Sequence, residues 1–135
     1  MDKIILDKNI LADKHQVQFH VLGKDIIIPY AVILKMDKLK IEYTGAGYNI
    51  RKAIKIIKEK SELGSLESGV PRFTDGTPGN LIVLNEQWHD SNSTMDQNIV
   101  RTALFEQFKG AILLSNDGIV VILCNLLGIE CQEYG

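Results

Sequence analysis

The chain has 135 residues and a net charge of −2, with 45% hydrophobic and 24% charged residues. This composition predicts one globular domain over residues 1–135 and excludes a disordered or low-complexity chain. No apolar run is long enough for a membrane span, and the N-terminus, charged from its second residue, carries no secretory signal, so a cytoplasmic location is expected. Cys124 and Cys131 lack metal-site spacing and are predicted to be buried, reduced thiols.

The charges are unevenly distributed along the chain. Residues 35–60 carry eight Lys and Arg against three acids, whereas residues 61–135 carry three against ten. A phosphate backbone would prefer the basic stretch, and a cation would prefer carboxylates gathered from the acidic one. A solvated, lysine-rich helix face explains the basic stretch equally well.

Short apolar runs typical of buried strands recur along the chain. Strands are predicted at residues 3–6, 25–28, 81–84 and 111–114, with a short fifth at 129–131. Residues 16–21 also alternate like a strand, within a stretch of mixed periodicity. Because such strands alternate with helical segments, the sequence predicts a three-layer α/β/α sandwich with a mostly parallel sheet of four or five strands.

The segments between the strands show helical spacing of apolar residues. Helices are predicted over residues 29–40, 48–62 and 118–128, and another from an N-cap at Ser93 or Thr94 to Gly110. Residues 64–80 are rich in Gly and Pro and are predicted to be a long loop or flap.

Two aspartates directly follow predicted strands. In open parallel sheets, ligands bind beyond the carboxyl ends of the strands, and Asp7 and Asp117 lie there. They are therefore the first candidates for chemistry. The chain contains neither a complete dinucleotide-binding fingerprint nor a phosphate-binding P-loop.

Several segments resemble, in the same order, the motifs of a known family. They are KIILDKNIL, DIIIPYAVILKMDKLK, GYNIRKAIKII, MDQNIVRTAL and AILLSNDGIVV with the closing LLGIECQEY. The resemblance is to PIN-domain nucleases, and within them to the N-terminal PIN domain of PhoH-like proteins, and it runs from residue 1 to the C-terminus. It implies an α/β/α fold and the activity of an endoribonuclease that depends on Mg²⁺ or Mn²⁺.

The resemblance also implies a set of site residues. Asp7, Asp96 and Asp117 fall on three of the family's four acids, as catalytic metal ligands, and Asn9 and Ser115 fall on its usual polar neighbours. Carboxylates suit this role because hard divalent cations prefer oxygen ligands and activate water for phosphodiester hydrolysis. N-capping of helices is the structural alternative for the second and third aspartates.

Three positions depart from the family's pattern. Leu34 stands in place of a glutamate, Lys8 in place of a small hydroxyl residue, and Val121 in place of a frequent arginine. Asp37, one helical turn beyond Leu34, is an alternative source of the missing carboxylate. These departures leave open a second function, a catalytically degenerate PIN domain that binds RNA or a protein without cleaving.

The predicted partner is RNA, with no membrane. Its backbone is expected to contact a basic cluster formed by Arg51, Lys52, Lys55 and Lys58. A homodimer and a protein partner supplied in trans stay open, as does the toxin half of a toxin–antitoxin pair, which only size and family analogy favour.

Overall fold

The structure, a computed structural model, describes residues 2–18 and 24–133. Their elements in chain order are β1 (Asp2–Leu6), α1 (Lys8–Gln18), β2 (Lys24–Ile28), α2 (Tyr30–Leu39), α3 (Gly45–Ser61), β3 (Val70–Pro71), β4 (Asn80–Val83), α4 (Met95–Arg101), β5 (Ile112–Leu114), α5 (Gly118–Leu127) and β6 (Cys131–Gln132). Short 3₁₀ turns lie at Glu86–Trp88, Thr102–Leu104 and Glu106–Phe108.

The six strands form one sheet in the order β3-β4-β2-β1-β5-β6. The β3–β4 pair is antiparallel and the other pairs are parallel. At the centre, Ile5 of β1 pairs with Ile27 of β2 on one side and with Leu113 of β5 on the other, and all three are fully buried. Strands buried on both faces need apolar residues at every position, which explains the isoleucine runs of β1 and β2.

Helices cover both faces of the sheet. The connections β1 to β2 to β4 move along the sheet in one direction, and those from β4 to β5 to β6 move in the other. Because such crossovers are right-handed, the two groups of helices lie on opposite faces. Helices α1 and α3 pack together, α4 packs with α5, and α2 contacts both groups. The predicted α/β/α sandwich is confirmed.

The sheet has six strands rather than the predicted four or five. The additional strand, β3, lies inside the predicted flap, where Arg72 N–H donates to Gly79 C=O at 3.1 Å and closes a small hairpin with β4. A strand of two residues is too short to show an alternating pattern, so periodicity could not reveal it.

The first helix corrects the interpretation of residues 16–21. Residues 16–18 belong to α1 rather than to a strand, and residues 19–21 lie outside the described residues. Tertiary packing outweighs the local alternation here, because Ile10 and Leu11 of α1 are fully buried in the core. The side chain of Asn49 on α3 also donates to Ala12 C=O at 2.6 Å.

The helix predicted to end at Gly110 is shorter than expected. It stops at Arg101 and continues as two 3₁₀ turns, separated by the extended backbone of Phe105. The Phe105 and Phe108 rings pack on Trp88, with the Phe105 centroid 5.0 Å from that of Trp88. This aromatic contact requires a change of direction that a continuous helix would not allow.

The N-terminus of α3 also differs, since the helix begins at Gly45 rather than at residue 48. Thr44 caps it, accepting from Gly47 N–H at 3.2 Å. Gly47 is needed there because a Cβ at this position would lie 2.1 Å from Glu42 C=O.

Among the described residues, no helix is both long and apolar enough to cross a bilayer.

Candidate functional site

The chain reverses its direction along the sheet between β1 and β5, and the predicted first and last aspartates lie at this point. Asp7 follows β1 directly, and its N–H donates to Leu114 C=O of β5 at 3.1 Å. Asp117 follows β5 as the N-cap of α5. A crevice beyond the carboxyl ends of two such strands is where ligands bind in open parallel sheets.

A single hydroxyl joins these two aspartates. Ser115 donates its hydroxyl proton to Asp7 Oδ2 at 2.7 Å and accepts from Asp117 N–H at 3.0 Å. Asp7 and Ser115 are fully buried. A buried carboxylate needs such donors, and Lys8 N–H supplies another to Asp7 Oδ1 at 2.7 Å. Each carboxylate oxygen keeps a second lone pair with which it can still bind a cation.

Asp117 is also a helix cap, as the structural alternative predicted. Its Oδ1 accepts from Ile119 N–H at 2.9 Å and from Val120 N–H at 3.4 Å. These bonds orient the side chain at the positive end of the α5 dipole. Capping therefore fixes the position of Asp117 next to Ser115.

Asp96 lies in the first turn of α4 and does not cap it. Thr94 is the N-cap, in a capping box with Gln97. Instead, Asp96 Oδ1 lies 2.5 Å from Lys35 Nζ, in a pair whose side chains are only 24% and 16% exposed. Sequence reasoning missed Lys35. The available signal was its neighbour Leu34, which stands where the family has a glutamate and so leaves α2 without that negative charge.

The described residues bring no three acidic, histidine or cysteine side chains within reach of one metal ion. Asp7 and Asp117 nonetheless have carboxylate oxygens, which are the type of ligand that a divalent cation such as Mg²⁺ prefers. Mg²⁺ commonly takes one or two carboxylates from a protein and completes its shell with water and substrate phosphate. Asp96, the third predicted ligand, is instead paired with Lys35.

The remaining predicted neighbours lie as follows. Asn9 Oδ1 accepts from Lys8 Nζ at 2.9 Å, so the ammonium of Lys8 binds Asn9. Leu34 is half-buried on α2. Asp37, the alternative carboxylate, is exposed, pairs with Lys40 at 2.6 Å and lines a groove between α2 and α3.

The predicted basic cluster lies on α3. Arg51 donates to Lys40 C=O and Glu42 C=O, each at 2.8 Å, and so closes the loop after α2. Lys52 Nζ lies 5.5 Å from the centre of the exposed Tyr48 ring. Lys55 and Lys58 are exposed.

A family model described as "PIN domain" matches residues 4–135. The chain belongs to the PIN domain family. The fold agrees: a domain of a functionally unknown protein from Methanocaldococcus jannaschii DSM 2661 superposes with a TM-score of 0.64 at 19% identity, over 100% of this chain and 92% of that chain. For the PIN domain endonuclease Utp24 the TM-score is 0.57 at 15% identity, over 98% of this PIN domain and 85% of that chain. A search of curated proteins finds no match.

Proposed function

We propose that this PIN domain is a cytoplasmic, Mg²⁺- or Mn²⁺-dependent endoribonuclease that hydrolyses RNA phosphodiester bonds. The observation that carries the proposal is the hydrogen-bonded group of Asp7, Ser115 and Asp117, which lies at the point where the chain reverses its direction along the sheet. The shared fold of an endonuclease and the resemblance to the PIN domain of PhoH-like proteins support it.

In this mechanism Asp7 and Asp117 would hold the cation, which supplies neutralisation of the phosphate charge and activation of the attacking water. The Ser115 hydroxyl keeps the Asp7 carboxylate in one orientation. The Lys35 ammonium would turn from Asp96 to a phosphate oxygen of the RNA, releasing Asp96 as a third ligand. Lys52, Lys55 and Lys58 would contact the RNA backbone along α3, whereas Arg51 holds the fold.

The test is single-turnover cleavage of single-stranded RNA in Mn²⁺. Asp7→Asn and Asp117→Asn are each expected to lower the rate about 100-fold or more. Each substitution removes the charge of a proposed metal ligand, which should cost more than changing a residue that only hydrogen-bonds to a ligand. Asp37→Asn, which changes an exposed carboxylate on α2, is the matched control and should cleave at the natural rate. Equal rates for all four chains would contradict the proposal.

The Lys35–Asp96 pair favours a second candidate, a degenerate PIN domain that binds RNA or a protein without cleaving. An ammonium paired with a carboxylate can take the place of a cation in a site that has lost one acid. Isothermal titration with Mn²⁺ separates the two functions. The degenerate domain would be favoured by a dissociation constant above about 1 mM, which corresponds to a binding free energy weaker than about −4 kcal/mol, together with RNA binding that does not require metal.

A further inference from the structure

An open hollow of about 120 Å³ lies between the end of α4 and the loop that joins β4 to α4. Ligand sites combine apolar surface with a few convergent polar groups, and this hollow has both. Two aromatic side chains, Trp88 and Phe105, and four polar ones, Gln87, His89, Asp90 and Arg101, line it. We call it the β4–α4 hollow. Its size suits one heterocyclic ring system rather than a whole nucleotide.

The β4–α4 hollow lies near the candidate site. His89 follows β4, and its ring meets that of Tyr30, the first residue of α2 after β2, with centroids 5.5 Å apart. This contact places the loop beyond the carboxyl ends of β2 and β4, at the same sheet edge as the aspartates. Asp96 and Arg101 lie five residues apart on α4, or about 7.5 Å along the helix axis. A single strand of RNA at the candidate site can therefore extend to the hollow.

The polar side chains of the hollow place hydrogen-bond donors beside an acceptor. Arg101 Nη1 donates to Asp90 Oδ2 at 3.1 Å, and the two side chains are 41% and 39% exposed, so a ligand can reach both. This bond uses one of the five N–H donors of a guanidinium. Hydrogen bonds from Asn92 N–H and the Ser93 hydroxyl, followed by the charge of Arg101, lower the pKa of Asp90. Its carboxylate therefore stays ionised and accepts further hydrogen bonds.

His89 leaves part of the wall of the hollow without a hydrogen bond. Its Nδ1 is buried and has no hydrogen-bond partner in the described chain. Most buried polar atoms in folded proteins have a partner, so an atom without one needs an explanation. The polar groups around the hollow are therefore not all satisfied by the chain itself.

The β4–α4 hollow is already formed without a ligand. The side chain of Asn98, which is buried on α4, accepts from Asp90 N–H at 2.7 Å and donates to Asp90 C=O at 2.9 Å. On the other side, the indole of Trp88 donates to Glu67 at 2.9 Å. Groups that are held in place before binding lose less conformational entropy when a ligand arrives.

We propose that the β4–α4 hollow binds a guanine base of the RNA strand and so selects where the RNA is cut; that RNA supplies the base rests on the proposed function. Arginine donating to O6 and N7 of guanine is the commonest specific contact between protein and base. The Asp90 carboxylate accepts from N1–H and N2–H₂ of the same base. Trp88 and Phe105 supply the aromatic surface on which unpaired bases pack.

The other bases match this set of groups less well. Adenine has neither the O6 carbonyl nor the N1–H, so it loses a contact with Arg101 and one with Asp90. Uracil and cytosine have no N7 beside a carbonyl, and their single ring fills less of the hollow. We therefore expect the preference to be for guanine.

The fluorescence of Trp88 tests the proposal, because Trp88 is the only tryptophan of the chain and lines the hollow. The probes are the single-stranded trinucleotides UGU, UAU, UCU and UUU, titrated in chelator so that metal-dependent cleavage does not occur. UGU should bind about 10-fold more tightly than the other three. Equal binding of all four, or no change in fluorescence with any of them, overturns the proposal. Free GMP that binds as tightly as UGU overturns the assignment to RNA.

Arg101→Lys tests the role of the guanidinium. This variant keeps the positive charge beside Asp90 but loses the planar group that matches O6 and N7, so it should bind UGU about 10-fold more weakly and UAU unchanged. Lys109→Met, which removes an exposed charge outside the hollow, is the control and should keep the preference. Thermal melting should show that both variants fold. An Arg101→Lys chain with the full preference overturns the proposal.

These measurements separate the inference from the proposed function, because the fluorescence readout needs neither metal nor cleavage. A chain that prefers UGU but does not cleave RNA contradicts the proposed function alone. A chain that cleaves RNA but binds the four trinucleotides equally contradicts the guanine site alone.

Discussion

Lys35 pairs with one of the three aspartates that were predicted as metal ligands. Its ammonium neutralises Asp96, the third predicted ligand, in a half-buried pair. Lys35→Met should therefore free this carboxylate and tighten Mn²⁺ binding about 10-fold, or about 1.4 kcal/mol, in isothermal titration. Lys38→Met removes an exposed charge from the same helix and should leave the affinity unchanged. Equal affinities for both variants would show that Asp96 is not a ligand.

A substitution of Leu34, on the same helix as Lys35, tests the candidate site in a second way. Leu34→Glu restores the family's fourth acid, and added repulsion among carboxylates should lower the melting temperature in chelator. Mn²⁺ should then raise the melting temperature more than it does for the natural chain, because the folded state binds it more tightly. Leu63→Glu adds the same charge elsewhere and should show neither effect. If Mn²⁺ fails to recover the loss, Leu34 is a packing residue that faces away from the aspartates.

Cys124 should be chemically inert in the folded chain. Burial, followed by the nearby Cys131 thiol, raises the pKa of Cys124 to about 12, so almost no reactive thiolate forms at neutral pH. Alkylation by iodoacetamide at pH 8, followed by mass spectrometry, should label Cys124 only after denaturation. A Cys131→Ser chain removes the half-buried second thiol and isolates the measurement. Rapid labelling of that native variant would contradict the assigned burial.

At the scale of elements, a single carboxylate fastens the long connection before β4. Glu67 accepts from the side chains of Asn85 at 2.6 Å, Gln87 at 3.0 Å and Trp88 at 2.9 Å. The first part of the predicted flap is thereby tied to the turn that follows β4. Leu66 C=O accepts from Val83 N–H at 2.9 Å and strengthens the same attachment.

Loss of this attachment should be measurable. Glu67→Ala is expected to lower the free energy of unfolding in urea by about 1 kcal/mol, because the half-buried indole N–H of Trp88 and two exposed side-chain amides lose a charged acceptor. It should also speed proteolysis within residues 64–80. Glu62→Ala, at an exposed position shortly before Glu67, is the control. Equal unfolding and proteolysis of the two variants would show that the flap is held elsewhere.

The elements differ in how well their patterns predicted them. Helix α2 was predicted closely because Pro29 and the apolar spacing act within a few residues of one another. The break after α4 was not, because it depends on where Trp88 lies. Strand β3 depends on a neighbour, β4, that forms only when the sheet is assembled.

At the scale of the whole molecule, strand order builds the candidate site. Ser115 and Asp7 are 108 residues apart and meet because β1 and β5 are adjacent in the sheet. The prediction that Asp7 and Asp117 follow strands at one edge needed only the apolar runs and the rule for parallel sheets. Their connection through Ser115 required the actual neighbours.

The sequence by itself determined five of the six strands, most helices, the fold class and the aspartates at strand ends, because these follow from local periodicity and from motifs of a few residues. Only the tertiary structure decided which charges meet. Lys35 reaches Asp96 across 61 residues, the exposed Arg51 donates to backbone carbonyls, and the outer face of α5 has no cover within the described chain. A local pattern of residues does not predict such contacts, because they depend on strand order and on how the helices pack over the sheet.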